Sequence, residues 1–314
     1  MSKDSSGNYH QRLYKVSLTT GASLAAATEI AAKHPGTGPN SSGGYVSFDP
    51  RKYKERSGLL LLHGTVYLGW ASHCDHTPYN GWIMGYDSAT LAQTTVLNVT
   101  PNGVDGAVWS AGGGFAADSS GYIYFLDANG TFDTTLNAQG FPVNGDYGNA
   151  FIKLSAAGGQ LSVADYFTMY NTAAESGGDV DLGSGGALVL PDMTGANGKV
   201  RRLAIGAGKD SNIYLVDRDN MGKFNTLNDS AIYQELDGAL TAPVSPVTGV
   251  SGGMWSMPAY YNGQVHFGSV GGPIILCGGK CHCVHATTYG LRYTGRVIMA
   301  LASASPVKVP DAAS

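Results

Sequence analysis

Short apolar strands alternate with glycine-rich turns along most of the chain. The stretches GTVYLGW, GYIYFLD and GQVHFGS each place aromatic or β-branched residues at alternate positions. This period of two, closed by turn residues, is typical of short strands in an antiparallel sheet. Long helices rich in Glu, Lys and Leu are absent from the sequence. The pattern therefore predicts an all-β fold.

Two sequence patterns recur at intervals of roughly 70 residues. The first is an apolar strand followed by Asp or Ser and a turn, and its copies are LYKVSLTTG, IMGYDSATL, FIKLSAAGG and IYLVDRDNMG. The second begins with glycine and reaches an anchor, Trp109, Asp181 or Trp255, in GAVWSAGGG, GDVDLGSGG and GGMWSMPAY. Two patterns with one period indicate a single repeated unit of several short strands, which is the blade of a β-propeller. A β-sandwich with coincidental spacing is the alternative.

The spacing predicts a propeller of four-stranded antiparallel blades, with about four to five blades in this chain. We assign residues 10–275 to the propeller, residues 1–9 to a disordered lead and residues 276–314 to an atypical C-terminal tail. Leu13–Ser17 either closes the blade that begins at Trp255, or the ring is incomplete. An incomplete ring leaves open blade edges that can pair with a second copy, which predicts a homodimer.

Composition and charge narrow the range of functions. Charged residues make up 13% of the chain and glycine 45 of its 314 residues, which suits short strands and tight turns. The net charge of −4 argues against nucleic-acid binding. No apolar run approaches the ~20 residues that span a bilayer. The opening MSKDSSGNYHQ lacks the apolar core of a signal peptide, so we expect this chain to carry none.

Several long stretches resemble bacterial propeller-repeat proteins that are named for pyrroloquinoline quinone (PQQ). They are GLLLLHGTVYLGWASHCDHTPYNGWIMGYD, GNAFIKLS, VADYFTMYN, DLGSGGALVLPD and GAGKDSNIYLVDRDNMGKFN. The resemblance covers roughly Tyr9 to Pro273 and implies a β-propeller from a secreted or periplasmic protein. The residues after this range match no such repeat, so we interpret the chain as a truncated propeller.

Quinone-dependent dehydrogenases share this repeat architecture, and the resemblance raises PQQ as a cofactor. It would require a pair of adjacent cysteines beneath the cofactor and a tryptophan after each repeat turn. No two of the four cysteines are adjacent, and no tryptophan follows Gly21, Gly159 or Gly222. We therefore expect that PQQ is not bound.

The run Ser72–His76 is the densest group of metal-capable side chains in the repeats. Imidazole, thiolate and carboxylate together suit a divalent ion, zinc first, with calcium or manganese as alternatives. The predicted metal ligands are His73, Asp75 and His76, with His63 and His266 across the ring. The alternative is a hydrogen-bonded anchor for the loop. Cys277, Cys281 and Cys283 form a second string, which either binds a structural metal or consists of free or disulfide-bonded thiols.

The anchors of the second pattern should line the central channel. A divalent ion at the channel mouth would polarise an ester and supply a hydroxide nucleophile. The predicted catalytic residues are Asp75, Asp105 and Asp181. The predicted aromatic wall for the substrate consists of Trp70, Tyr79, Trp82, Trp109 and Trp255.

The sequence therefore favours a metal-dependent hydrolase that acts on a small activated ester, such as a lactone, aryl ester or phosphotriester. A non-catalytic secreted propeller that binds a ligand or a surface is the alternative. A quinone-dependent dehydrogenase is the third hypothesis.

Overall fold

Four antiparallel sheets, named blades 1 to 4, follow one another along the chain. The computed structural model describes residues 1–194, 198–242 and 252–270, together with the backbone of two further strands in blade 4. The prediction of an all-β protein built from four-stranded antiparallel blades is confirmed.

Seven short strands precede blade 1. They are β1 (Ser2–Lys3), β2 (Tyr9–His10), β3 (Arg12–Leu13), β4 (Thr28–Glu29), β5 (Lys33–Pro35), β6 (Ser41–Ser42) and β7 (Tyr45–Ser47). The predicted disordered lead is ordered here, because β1 pairs with β2 and the side chain of Asp4 accepts a hydrogen bond from the backbone of Asn8 at 2.8 Å.

Blade 1 has the longest strands. It contains β8 (Tyr53–Glu55), β9 (Leu60–Leu62), β10 (Thr65–Ser72), β11 (Trp82–Asp87) and β12 (Gln93–Asn98). Both β8 and β9 pair with β10, so the two short strands share the innermost position.

Blades 2, 3 and 4 repeat this arrangement with four strands each. Blade 2 contains β13 (Ala116–Ala117), β14 (Ile123–Leu126), β15 (Phe151–Ser155) and β16 (Ser162–Phe167). Blade 3 contains β17 (Leu188–Val189), a side ribbon of β18 (Met193–Thr194) and β19 (Val200–Arg201), then β20 (Leu203–Ala207), β21 (Ile213–Asp217) and β22 (Gln234–Leu236). Blade 4 contains β23 (Ala259–Tyr261), β24 (Gln264–Gly268), β25 (Ile274–Gly278) and β26 (His282–Ala286).

The helices are short. The helix α1 (Thr172–Gly177) and three 3-10 turns, Ser110–Gly112, Ala157–Gly159 and Leu182–Ser184, lie in the connections. No helix in the described part of the chain is long and apolar enough to cross a membrane.

Apolar clusters join each blade to the next. The cluster between blades 1 and 2 includes Tyr67, Phe115 and Phe125, and the two phenylalanine rings meet edge to face at 5.4 Å. Similar clusters lie between blades 2 and 3 and between blades 3 and 4. A fourth packs Val46 and Phe48 of the N-terminal segment against blade 1. Face-to-face packing of successive sheets is the packing of a propeller.

Two expectations about the chain ends need correction. Leu13–Ser17 does not join blade 4: Leu13 pairs with Thr28, and the backbone N–H of Ser17 donates to Ala22 O at 2.9 Å. The predicted tail does not begin at residue 276, because β25 and β26 continue the fourth sheet to residue 286. Residues 287–314 lie outside the described part of the chain.

Candidate functional site

A cavity of about 270 Å³ lies where all four blades meet at one end of the sheets. Its lining consists of Arg56, Asp75, Trp109, Asn129, Asp181, Ser184, Lys209 and Trp255. Every blade contributes at least one of these side chains, so the cavity lies where the innermost strands of the four blades converge.

The blades supply the lining from two recurring positions. At the first, Trp109, Asp181 and Trp255 precede the innermost strands of blades 2, 3 and 4. Arg56 takes the corresponding place in blade 1, between β8 and β9.

The second recurring position is the loop after the second strand of a blade. It places Asp75 after β10, Asn129 after β14 and Lys209 after β20. The fold therefore presents the same two positions from successive repeats to one small volume.

Asp181 and Lys209 form a buried ion pair on one wall. The ammonium of Lys209 lies 2.5 Å from Asp181 Oδ2 and 2.9 Å from Asp179 Oδ1. The backbone N–H of Asn129 donates to Asp181 Oδ1 at 2.8 Å. Burial lowers the pKa of Lys209, but the two carboxylates outweigh it and the pKa is raised overall. Burial raises the pKa of Asp181, although Lys209 partly opposes this.

A glycine allows this wall to form. A Cβ at Gly208 would lie 2.3 Å from the carbonyl oxygen of Asp181, which is closer than any real contact. The backbone N–H of the next residue, Lys209, donates to the same oxygen at 2.8 Å. The close approach of β20 to the start of blade 3 therefore needs a residue without a side chain.

Two indoles and a guanidinium form the opposite part of the lining. The guanidinium carbon of Arg56 lies 5.1 Å from the ring centre of Trp109, within the range of a cation–π contact. Trp255 of blade 4 is 36% exposed. Both indoles line the cavity, and their role in binding a substrate stays a prediction.

Asp75 lies in the loop that follows β10, and its neighbours fix its carboxylate. The hydroxyl of Tyr79 donates to Asp75 Oδ1 at 2.8 Å, and Ser72 donates to the same oxygen at 3.5 Å. Tyr79 is itself buried, so it supports Asp75 and does not line the cavity.

Asp105 lies beside this loop and outside the cavity lining. Its Oδ1 accepts a hydrogen bond from Thr77 at 2.8 Å. Burial raises the pKa of Asp105. Of the three predicted catalytic carboxylates, Asp75 and Asp181 therefore line the cavity and Asp105 does not.

Trp70 and Trp82 do not face the cavity. Both are fully buried between blade 1 and the N-terminal segment. The indole N–H of Trp70 donates to Gln11 Oε1 at 2.9 Å. Their assignment as substrate contacts is corrected, because the N-terminal segment covers this face of blade 1.

The predicted metal ligands are dispersed. His63 precedes β10 and His73 follows it, so the strand separates them by roughly 25 Å at about 3.3 Å per residue. His266 lies within β24, and its buried Nε2 has no hydrogen-bond partner among the described residues. His73, Cys74 and His76 are exposed in the loop that carries Asp75. Among the described residues, no three His, Cys, Asp or Glu side chains are grouped so as to hold a metal ion.

Cys281 and the side chains of Cys277 and Cys283 lie outside what the structure describes. The predicted metal site formed by Cys277, Cys281 and Cys283 therefore stays a prediction.

Sequence reasoning missed Arg56, Ser184 and Lys209. The sequence does contain a signal for Lys209. The segment GAGKD lies at the end of β20, just as SHCDH lies at the end of β10, so Lys209 and Asp75 occupy corresponding loops of two repeats. Arg56 gave no comparable signal, since the innermost strand of blade 1 is split and lacks the glycine pattern of the other blades.

Comparison with known proteins gives likeness at the level of structure alone. No protein-family model matches the chain, and no curated protein matches it. A quinohemoprotein alcohol dehydrogenase from Pseudomonas putida is similar over 85% of this chain, with a TM-score of 0.54 and 15% identity. The corresponding enzyme from Comamonas testosteroni is similar over 82%, with a TM-score of 0.51 and 13% identity. This chain spans 41% and 40% of those two proteins.

These likenesses define the class of the chain as a β-propeller. Within that class it has the PQQ-like propeller fold, as its sequence resemblance implied. At 13–15% identity the likeness shows the fold alone, and the chemistry of the site depends on the residues of this chain.

Proposed function

We propose that this chain is a ligand-binding β-propeller that holds a small aromatic molecule at the mouth of its channel. The observation that carries the proposal is the convergence of Trp109 and Trp255, from different blades, on one cavity that also contains Arg56. Ligand sites combine apolar and aromatic walls with a few placed polar groups. The cavity has this composition. We also propose that the protein works outside the cytoplasm, on the strength of its resemblance to exported repeat proteins.

Metal-dependent ester hydrolysis receives less support than binding. Lys209 already neutralises Asp181, so Asp75 is the one carboxylate of the described lining that has no cationic partner. Within the described residues the site therefore does not present the donor set of a divalent ion. We derive no catalytic step from it.

Tryptophan fluorescence tests the proposal directly, because the chain has four tryptophans and two of them lie at the cavity. A panel of small aromatic compounds with neutral, anionic and cationic groups would be titrated against the purified protein. We expect a saturable change in emission for at least one compound. Trp109→Phe and Trp255→Phe should each reduce that change and weaken binding, since both remove part of the stacking surface.

Tyr170→Ala is a matched control, because Tyr170 is 51% exposed and outside the cavity. No response from the whole panel would overturn the proposal. Chelator-sensitive hydrolysis of an aryl ester would favour the hydrolase instead. Visible absorption from a tightly held quinone would favour the dehydrogenase, and the expectation that PQQ is not bound would then be wrong.

A further inference from the structure

Within the described residues, the cavity contains one cationic and one anionic side chain that have no partner of opposite charge. The charge of Lys209 is balanced by Asp181 and Asp179. Across the described chain, Arg56 has no carboxylate and Asp75 no ammonium or guanidinium within salt-bridge distance. A ligand that satisfies both must carry both charges.

We propose that the ligand is an aromatic zwitterion, a small molecule with a carboxylate, an ammonium group and an aromatic body, as in an aromatic amino acid. This inference rests on the proposed function, because it names the chemical class that would occupy the same cavity. Arg56 would bind the carboxylate, Asp75 the ammonium group, and the indoles of Trp109 and Trp255 the ring.

Arg56 is prepared for a carboxylate by its contact with Trp109. The guanidinium lies over the indole, and within the described residues its N–H groups have no hydrogen-bond acceptor. Those N–H groups form the planar fork that matches the two oxygens of a carboxylate. The contact also restricts the long side chain before the ligand arrives, so less conformational entropy is lost on binding.

Asp75 is prepared for an ammonium group by its hydrogen bonds. Tyr79 and Ser72 both donate to Oδ1, and within the described residues no side chain of the loop donates a hydrogen bond to Oδ2. A carboxylate with one free oxygen can accept a charge-assisted hydrogen bond from an organic ammonium. The faces of the two indoles attract the same charge through cation–π interaction.

Charge balance and size argue against larger anions. The lining carries two cations, Arg56 and Lys209, and two carboxylates, Asp75 and Asp181. A ligand with several carboxylates, such as PQQ, would face both acidic side chains with only Arg56 unpaired. A volume of about 270 Å³ lies at the lower end of the usual ~300–1,000 Å³ of ligand sites. The site therefore suits a small and electrically balanced molecule.

Three probes that share a phenyl ring and differ in their charged groups test the contributions of the carboxylate and the ammonium group separately. They are L-phenylalanine, 3-phenylpropanoate, which lacks the ammonium group, and phenethylamine, which lacks the carboxylate. Isothermal titration calorimetry with the full chain should show phenylalanine binding at least about tenfold more tightly than either analogue, because each lost charge removes one charge-assisted contact.

Two substitutions assign each charge to its residue. Arg56→Gln should weaken phenylalanine and phenylpropanoate by about tenfold and leave phenethylamine unchanged. Asp75→Asn should weaken phenylalanine and phenethylamine and leave phenylpropanoate unchanged, while still accepting the hydroxyl of Tyr79. Arg51→Gln is the control, since Arg51 is an exposed arginine outside the cavity and should alter none of the three.

The result that overturns the zwitterion is equal affinity for phenylalanine and phenylpropanoate, or an Asp75→Asn variant that keeps full affinity for phenylalanine. In either case binding persists, and the proposed function stands with a different ligand class. If these probes fail while a neutral aromatic compound of the fluorescence panel binds, the zwitterion alone is rejected. If nothing in that panel binds, the proposed function fails as well.

Discussion

Asp127 is a fully buried acid at the end of the second strand of blade 2. Neither of its carboxylate oxygens has a hydrogen-bond partner in the described part of the chain. Burial raises the pKa of Asp127 well above its usual range, and the charge of Asp181 adds to this effect. The folded protein therefore holds this side chain in its neutral form over a range of pH in which the unfolded chain ionises it.

Asp127→Asn should remove a pH-dependent loss of stability. In the unfolded chain an aspartate ionises above about pH 4, whereas in the fold Asp127 stays protonated until its raised pKa is reached. Stability from this residue is therefore fully present below pH 4 and declines as the pH rises toward the folded pKa. Between pH 5 and pH 8 the stability of the variant should therefore rise progressively relative to that of the original protein, measured by urea unfolding.

The matched control for this substitution is Thr134→Ala. Thr134 is an exposed and uncharged side chain, so its replacement should change stability by the same small amount at pH 5 and at pH 8. Equal effects of the two substitutions at pH 5 and pH 8 would contradict a neutral Asp127.

The aromatic residues show how far sequence could locate the site. Trp109 and Trp255 were found because they share one position of the repeat, and that position faces the channel. Trp70 and Trp82 also lie on strands of the first repeat, but Gln11 and the N-terminal segment cover them. Period-two alternation separates the two faces of a strand without indicating which face another segment will cover.

Met257 occupies a gap that two glycines leave at the channel. A Cβ at Gly186 of blade 3 would lie 1.8 Å from its sulfur, and one at Gly113 of blade 2 would lie 2.2 Å from its Cγ. A side chain from blade 4 therefore interlocks with the innermost segments of the two preceding blades. These glycines belong to the repeating GGG and SGG motifs, so part of the glycine pattern serves packing at the channel.

Gly186→Ala should destabilise the fold because its new methyl group overlaps Met257. Filling a packed site in this way typically costs about 1–3 kcal/mol. Met257→Ala should also destabilise, through the cavity it creates. The double variant should lose less than the sum of the two single losses, measured in a double-mutant cycle of urea unfolding.

Gly177→Ala serves as the steric control for this cycle. An added methyl group at Gly177 meets no atom within 4 Å, so its effect should not depend on residue 257. Additive losses for Gly186→Ala and Met257→Ala would show that the two residues do not touch.

Among the elements, the repeated strands could be predicted and the N-terminal pairing could not. IMGYDSATL, FIKLSAAGG and IYLVDRDNMG all contain the third strand of a blade, as their common pattern indicated. LYKVSLTTG has the same local pattern but forms a local ribbon with residues 22–29. A third strand pairs with the second and fourth strands of its blade, whereas this segment pairs with the residues that follow it. The outcome depends on these distant partners, which a local pattern does not contain.

At the scale of the whole molecule, blades 1 and 4 each carry an exposed apolar side chain on the face turned away from the neighbouring blade, although the N-terminal segment also packs on that face of blade 1. In blade 1, Leu60 and Leu62 pack toward blade 2, whereas Leu61 on the other face is 65% exposed. In blade 4, Val265 packs toward blade 3, whereas Tyr261 lies on the opposite face and is 63% exposed. Among the described residues, none of the apolar clusters includes these two exposed side chains.

We predict that blade 1 of one copy contacts blade 4 of a second copy through these two exposed side chains, because exposed apolar side chains at a blade edge favour pairing with another copy. Sedimentation velocity should then show a dimer. Leu61→Asp and Tyr261→Asp should each produce monomers, since a buried unpaired charge is costly at either position.

Mixing the two variants provides the decisive comparison. In a mixed dimer one interface carries both substitutions and the other carries neither, so the mixture should recover part of the dimer. Leu227→Asp is the control, because Leu227 is 80% exposed and belongs to neither blade 1 nor blade 4. A monomer in the unsubstituted protein at tens of micromolar would contradict the prediction.

The use of two equivalent positions from successive repeats bears on how such a protein diversifies. Duplicated repeats begin with the same residue at each position, and drift at one copy leaves the scaffold of the others intact. Arg56, Trp109, Asp181 and Trp255 occupy equivalent places yet differ in charge and shape. A single substitution in one repeat can therefore change the ligand that the cavity binds. The other repeats maintain the shape of the cavity meanwhile.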